Sequence, residues 1–596
     1  MKLSRIYCSR SDLFPSIAFQ TGLNVILARV LERKDEKKDS HNLGKTLLID
    51  LLDFCLLKEL KKDFFMKKHP ARFAGLVFFL EIELPAGDFA TIRRGVDETS
   101  KISVKRHAER HQDFSALAEE SWDHWRLPLQ KGIDWLNSAL SLRAFGTLNY
   151  RDGHSFFLRK QKDFSDVFEL HKFNQGSDSY WKPVVAQVLG LDAGLIERKY
   201  ELDAEIENGE AKRKEARRDS GLDESDYDRL RGQVEILRSQ IGLKQAQLDA
   251  FDFHAEEMSI NRQLSGEIET RLEQVNTIVY NLKVDLEQAQ KGLHYDIQFD
   301  LGEIKQIFEE AKIAFPDQIH QGYASLLDFN HKILSERKAH LQERLDELNR
   351  ALESAVAEHQ ELNRRRKDLL TALKDAPSLT RYKQLQRTLD DERAKLSALD
   401  EKFRQVEALI GFGTKIGALQ KERDRNIEAI AAMTRGGSER YSEIRIKFAE
   451  IVSAVLDRTA EIWIKQNDNG NLEFHADFSD GSGSAFTSEG DGTTYRKFLC
   501  MAFDLAVLTT YAKEPFYRFV YHDGALETLD ARRKIRWIGL VREYCEKFNL
   551  QYIMTLIEDD LPRDAEDKKL PFPEAEIVRE LHDRDDSGRL FRMPAF

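Results

Sequence analysis

Apolar residues follow two regimes along the 596-residue chain. Near both ends they gather into short unbroken runs, Leu23 to Ala28, Leu76 to Leu84, Phe519 to Tyr521 and Tyr552 to Leu556. Runs of this length predict buried strands, and the helical patterns that follow them predict an α/β arrangement. In the middle the spacing changes to alternating threes and fours. Leu230, Val234, Leu237 and Ile241, then Ile268, Leu272, Val275, Val279, Leu282 and Leu286, make a heptad seam. A second seam runs through Leu341, Leu345, Leu348 and Leu352, then Leu385, Leu389, Leu396, Leu399, Phe403, Val406 and Ile410.

Two seams predict two arms that pair with each other. Between them, about His294 to Asn330 breaks the pattern, and Phe299, Phe308, Phe315, Pro316, Tyr323 and Phe329 supply material for a compact elbow where the chain reverses. Pro377 predicts a joint near Asp375 to Ser378, because proline removes a helical hydrogen bond and clashes with the preceding turn. The resulting division is residues 1–195 for one half of a head, 196–293 for the outgoing arm, 294–330 for the elbow, 331–435 for the returning arm and 436–596 for the other half. The fold class is therefore an α/β head assembled from both chain ends plus a long antiparallel α-helical coiled coil. The coil must fold back because the two halves of one core have to meet.

Composition agrees with this division. A third of the residues are charged and only 12 are Pro, which favours long helices, while the 36 Phe and 16 Tyr concentrate toward the two ends. The net charge of -12 excludes a uniformly basic nucleic-acid coat, so any DNA contact must be local. Three basic clusters are candidates: Lys61, Lys62, Lys67 and Lys68; Lys212, Arg213, Lys214, Arg217 and Arg218; and Arg364, Arg365, Arg366 and Lys367. Each also reads as a solvated face balanced by neighbouring acids. Cys8, Cys55, Cys500 and Cys545 form no CxxC pair, so neither a zinc site nor a disulfide framework is indicated. A reducing cytoplasm is the expected setting, and no apolar run approaches the roughly 18 residues of a membrane span. Nothing resembles a nuclease constellation.

Chemistry is suggested at three places. His41-Asn42-Leu43-Gly44-Lys45-Thr46 leads into an apolar helical stretch, and a GKT triplet at a helix start lets backbone N–H groups cradle phosphates. Lys45 would reach the terminal phosphates, the Thr46 hydroxyl would bind Mg2+, and Asn42 and Leu43 would shape the turn. Asp39 stands where such a loop has its first Gly. The second place is Phe519-Val520-Tyr521-His522-Asp523, an apolar strand ending in a carboxylate suited to orienting Mg2+. The third is Thr487-Ser488-Glu489-Gly490-Asp491-Gly492, a Ser- and Gly-rich loop before a helix from Thr493 to Ala512.

In this order, phosphate loop, coil, elbow, returning coil, Ser/Gly loop and Asp strand, the chain resembles the SMC and RecN family of coiled-coil ABC ATPases. The HNLGKT loop, the SEGDG stretch, the YHDG strand end and the closing LHDRDDSGRLF segment look more narrowly like the short bacterial SMC-like ATPases of ABC-three-component and Lamassu-type defence systems. The resemblance implies an ABC-type head that dimerises around two ATP molecules, each held by Lys45 and Thr46 of one copy and Ser488, Gly490 and Gly492 of the other. Asp530 would belong to the D-loop. It further implies DNA engagement through the backbone, a small adaptor subunit and a nuclease-type effector.

Three positions depart from the family. Gly524 occupies the place of the general base, leaving Glu527 or His522 as substitutes. Leu556 occupies the place of the switch histidine, with Glu558 and Asp559 beyond it. The lobe-linking glutamine is either Gln161 or Gln187. A chromosomal repair or recombination ATPase, or a coiled-coil scaffold with a weakly hydrolysing head, fits the same residues.

Overall fold

The structure is a computed structural model that describes residues 1–31, 43–146, 148–173, 177–251, 264–294, 316–371, 377–479, 492–564 and 566–594. Asn42, Ser488, Gly490 and elbow residues 295–315 lie outside the described residues. The chain divides into two compact units, one of Met1–Ala204 with Gln420–Phe596 and one of Glu205–Leu419.

The first unit joins both chain ends. Its strands are β1 Lys2–Cys8, β2 Ile17–Ala18, β3 Gly22–Arg29, β4 Val77–Glu83, β5 Phe89–Gly95, β6 Lys101–His107, β7 His124–Pro128, β8 Leu158–Arg159, β9 Thr459–Gln466, β10 Leu472–Ser479, β11 Phe519–His522, β12 Gln551–Ile557 and β13 Ile577–His582. One antiparallel sheet runs β2-β1-β4-β5-β6-β7, a second sheet runs β13-β3-β12-β11-β8, and β9 with β10 forms a separate hairpin. All pairings in the second sheet are parallel, and the register from Gly22↔Gln551 to Ala28↔Ile557 zips the N-terminal strand onto the C-terminal one. Parallel strands covered on both faces need apolar residues at every position, which is why β3, β11 and β12 read as unbroken runs. Helix Lys45–Cys55 touches β4 and β5 of one sheet and β8 of the other, burying Leu48, Ile49, Leu51, Leu52 and Phe54. It is therefore fixed from both sides. The apolar stretch Ser155–Phe157 lies in a 3-10 turn, His154–Phe157, rather than a strand, and only Leu158–Arg159 pair. A short buried apolar run does not by itself choose between these conformations.

The second unit is helical. Tyr227–Asp249 lies against the helix Pro377–Gly436 through Tyr227 with Phe403, Arg238 with Asp400 and Lys244 with Glu392. Thr270–His294 lies against Pro316–Thr371 through Arg271 with Glu358 and Gly292 beside Leu341. In both pairs one partner's numbers fall as the other's rise, so the pairing is antiparallel. Seam residues Leu230, Val234, Leu272, Val275, Leu345, Leu348, Leu389 and Val406 are buried. The outgoing arm is not one rod: Ala193–Ser220 ends at Gly221, whose φ of +65° is the left-handed region open to glycine, before Tyr227–Asp249 begins. The helix starting at Pro316 takes in the second half of the expected elbow. Pro377 is the first residue of its helix, where its missing N–H costs nothing. Close to it in sequence, Asp390 shares its surroundings with Glu269 and Glu273 while Arg366 and Arg393 pair with those two glutamates.

Candidate functional site

The corner at Gly44 is built by residues far apart in the chain. Gly44 caps helix Lys45–Cys55 at φ +96°, and a Cβ there would come within 2.8 Å of Leu590 Cβ. The Leu590 N–H donates to the Leu43 carbonyl at 3.0 Å. Next to it Phe591 enters an aromatic cluster with Phe14, Phe65, Phe73 and Phe78, which anchors the segment. Glycine is required at this corner by both the backbone angle and the space. Lys45, the first helical residue, is 5 % exposed.

Strand alternation then sorts β11. Tyr521 and Asp523 face the phosphate-loop helix: the Tyr521 hydroxyl reaches the Lys45 carbonyl at 3.5 Å, and the Thr46 hydroxyl donates to Asp523 Oδ2 at 2.6 Å. The other Asp523 oxygen accepts from the Thr555 hydroxyl at 2.5 Å, and Thr555 accepts the Gly524 N–H at 2.9 Å. Thr555 thus orients the carboxylate. Sequence reading passed over it, although the register His522↔Met554 puts Thr555 beside Asp523. The Thr46 hydroxyl and Asp523 carboxylate are hard oxygen donors at one point. They fit Mg2+ completed by phosphate oxygens and water, as this ion prefers few protein ligands. Among the described residues no group of three His, Cys, Asp or Glu side chains is arranged for a metal.

Glu527 fills the place that Gly524 leaves. Gly524 has φ +68°, and a Cβ on it would meet the Glu527 carboxylate at 2.4 to 2.7 Å. One Glu527 oxygen accepts from Gln161 Nε2 at 2.7 Å and the other lies 3.3 Å from Lys497 Nζ. Gln161 opens the turn after β8. That turn is tied to Asp523, whose N–H donates to the Arg159 carbonyl at 3.1 Å, and to the phosphate-loop helix, where Lys160 pairs with Asp50 at 2.6 Å. Thr46, Gln161 and the Asp523–Glu527 segment therefore converge from three separate stretches of chain. Gln187 instead donates to the Ala144 carbonyl at 2.9 Å, holding a loop by Gly146.

His522 points the other way, which corrects the expectation that it could substitute for the base. It is fully buried, with Nδ1 2.6 Å from the Tyr552 hydroxyl and Nε2 3.0 Å from Asp504. Asp504 also takes two hydrogen bonds from Arg159, at 2.6 and 2.9 Å. Burial pushes His522 below its ordinary value despite the opposing pull of Asp504, so the ring is neutral, Nε2–H donating and Nδ1 accepting. Both nitrogens are used for structure. Asp530 caps helix Ala531–Phe548, accepting from the Arg533 N–H at 3.0 Å. Gly492 caps helix Thr493–Thr510 in an extended conformation. Leu556 is buried in β12 opposite Leu27 and offers nothing to a phosphate.

The basic clusters differ from one another. On the arms Arg213 pairs with Glu224, Arg217 with Asp223, Arg364 and Arg365 with Glu361, and Arg366 with Glu269. On the head Lys61, Lys62, Lys67 and Lys68 are exposed. Among the described residues no helix is long and apolar enough to cross a membrane.

Comparisons with known proteins add the following. Residues 451–595 match a family model described as an uncharacterised protein conserved in bacteria, DUF2326. No curated protein matches the sequence. Among solved structures, the Smc head domain with a coiled coil and joint from Pyrococcus yayanosii is 14 % identical, with 93 % of this chain and 92 % of that chain covered at a TM-score of 0.32. The Smc head domain with an extended coiled coil from Pyrococcus furiosus, bound to the C-terminal domain of ScpA, is 12 % identical, with 94 % of this chain and 90 % of that chain covered, also at 0.32. The two-ended α/β head and antiparallel helical arms are read directly from the sheets and helices of this chain.

Proposed function

We propose that this chain is an SMC-like ATPase. The observation that carries the reading is the convergence of Thr46 and Asp523 at 2.6 Å with Glu527 and Gln161 at 2.7 Å beside them. Gly44, Lys45 and Thr46 hold the phosphates of ATP at a helix start, where the helix dipole favours an anion. Thr46 and Asp523 hold Mg2+, which supplies charge neutralisation at the phosphate oxygens. Glu527 accepts the proton of the water that attacks the γ-phosphorus; the bond from that phosphorus to the β–γ bridging oxygen breaks, leaving ADP and inorganic phosphate. Lys45 stabilises the charge that develops, and Gln161 orients Glu527.

A second copy completes the site through its Ser488, Gly490 and Gly492, with Asp530 at the seam between copies. The exposed Lys61, Lys62, Lys67 and Lys68 give the head a surface for the DNA backbone without base readout. The resemblance of the closing segment to defence ATPases supports a role as sensor subunit of a bacterial anti-phage or anti-plasmid complex with a small adaptor and a nuclease-type effector. Leu556 at the switch position favours one other reading, a scaffold whose head binds nucleotide without turning it over.

ATP turnover with and without duplex DNA tests this. Wild-type turnover stimulated by DNA, reduced about 100-fold or more in Lys45→Ala and in Glu527→Gln, is the expected result. ATP binding with no turnover in any condition would leave only the scaffold.

A further inference from the structure

Lys497 lies in the second turn of helix Thr493–Thr510, behind the cap residue Gly492. Its side chain is 7 % exposed, its Nζ sits 5.1 Å over the Phe164 ring, and Glu527 is 3.3 Å away. A buried ammonium is costly unless a carboxylate compensates it, so this contact is more than a surface pair. Phe164 belongs to the same turn as Gln161, Gln161–Phe164. One turn therefore supplies a donor to Glu527 and also the aromatic floor under the second donor.

Glu527 needs both donors. Its carboxylate sits where a side chain on Gly524 would begin, yet it hangs from a backbone three residues farther on. A long side chain with several free rotors does not stay in one position unless partners fix it. A carboxylate attached directly after Asp523 would have far less freedom.

We infer that Lys497 is a positioning residue: it fixes the Glu527 carboxylate over Gly524 and ties that position to the start of helix Thr493–Thr510. The inference rests on Glu527 being the proton acceptor. Because the ammonium rides on the helix that Gly492 caps, whatever sets the helix start also sets the place of the carboxylate. Gln161 does the same from the β8 side, and the two together substitute for the missing covalent attachment at Gly524.

The test is steady-state ATP turnover by the full chain as wild type, Lys497→Met, Lys497→Arg, Glu527→Gln and the Lys497→Met/Glu527→Gln double variant, with ATP affinity measured on the same samples. Lys497→Met should lower kcat about tenfold or more while KM for ATP stays within about twofold, and Lys497→Arg should restore most of the loss. The double variant should be no slower than Glu527→Gln alone, since Lys497 acts only through that carboxylate. Losses that multiply, or a raised KM with unchanged kcat, would overturn the inference while leaving Glu527 as acceptor. Full turnover in Glu527→Gln would instead remove the acceptor assignment, and the role of Lys497 with it. If Lys497→Met loses ATP affinity through misfolding, Lys497→Gln in the same cycle decides by the same criteria.

Discussion

Asp504 in the head and Asp390 in the arm both lie among charged neighbours, and they fare in opposite ways. Asp504 is 1 % exposed, and its oxygens meet Arg159 at 2.6 and 2.9 Å and His522 at 3.0 Å. Arg159 gives its remaining N–H groups to the carbonyls of Asp163, Asp166 and Val167. Burial alone would lower Arg159, but Asp504 holds it charged above its usual range. Every group in that network is matched. Asp390 has no such arrangement: burial first, then the repulsion of Glu269 and Glu273, push it from 3.8 to about 7. The cations nearby, Arg366 and Arg393, are already engaged by those glutamates. Charge in the head locks β8, β11, β12 and helix Thr493–Thr510 into one arrangement, whereas charge in the arm leaves a surplus that depends on pH.

Three variants sharpen this contrast, in order of expected size. Asp504→Asn leaves the Arg159 guanidinium buried without its counter-charge and should cost about 3–5 kcal/mol, read as a lower unfolding midpoint of the head in urea. A change under about 1 kcal/mol would mean that the network is not what holds these elements together. Asp390→Asn should act in the other direction. An acid whose folded value lies above its unfolded one is favoured in the protonated form by folding, so Asp390 costs the arm nothing below about pH 4 and progressively more as pH rises toward about 7. Removing that acid should stabilise the arm by about 1–2 kcal/mol at pH 8, after allowance for solvent screening, and by almost nothing at pH 4. Helical melts at the two pH values check this, and a gain equal at both would refute the crowding argument.

Gly524→Ala should have the smallest effect on folding and a selective one on chemistry. The positive φ costs about 1 kcal/mol, and the added methyl meets the Glu527 carboxylate. Turnover should therefore fall more than tenfold while the melting temperature drops by only a few degrees. Equal loss of both would place Gly524 in the structural class with Asp504.

Much of the head could be read from sequence because its parallel strands have to be apolar throughout. The runs Leu23–Ala28, Phe519–Tyr521 and Tyr552–Leu556 became β3, β11 and β12, and the GKT triplet opens a helix. The larger antiparallel sheet was mostly missed. β1 and β5 are largely buried but interleave polar residues such as Lys2, Ser4, Thr91 and Arg94 with apolar ones, and β6 and β7 include exposed positions over short lengths, so none reads as an apolar run. The heptad seams marked the arms but not their interruption at Gly221, since periodicity records a buried face and not the continuity of the backbone. At the site, residue type and order named Lys45, Thr46, Asp523 and Glu527 as candidates, and left Gln161 and Gln187 as alternatives. Thr555, Lys497 and the Arg159–Asp504–His522 network were invisible because each is defined by a neighbour on another strand or helix. His522 shows the limit most plainly: adjacency to Asp523 in sequence puts it on the opposite face of the sheet.

The contact between Leu43 and Leu590 also bears on how the protein is made. A ribosome adding roughly 5–20 residues per second needs on the order of a minute between these two residues. Throughout that interval the corner at Gly44 lacks its backing and β3 lacks the partners β12 and β13 that cover its edges. Nascent chains must keep a half-built, apolar head from aggregating while the whole helical excursion is synthesised, and a chain truncated before Leu590 would be released without a finished Gly44 corner. Synthesis through Leu590 is thus itself a checkpoint on which molecules acquire a backed Gly44 corner.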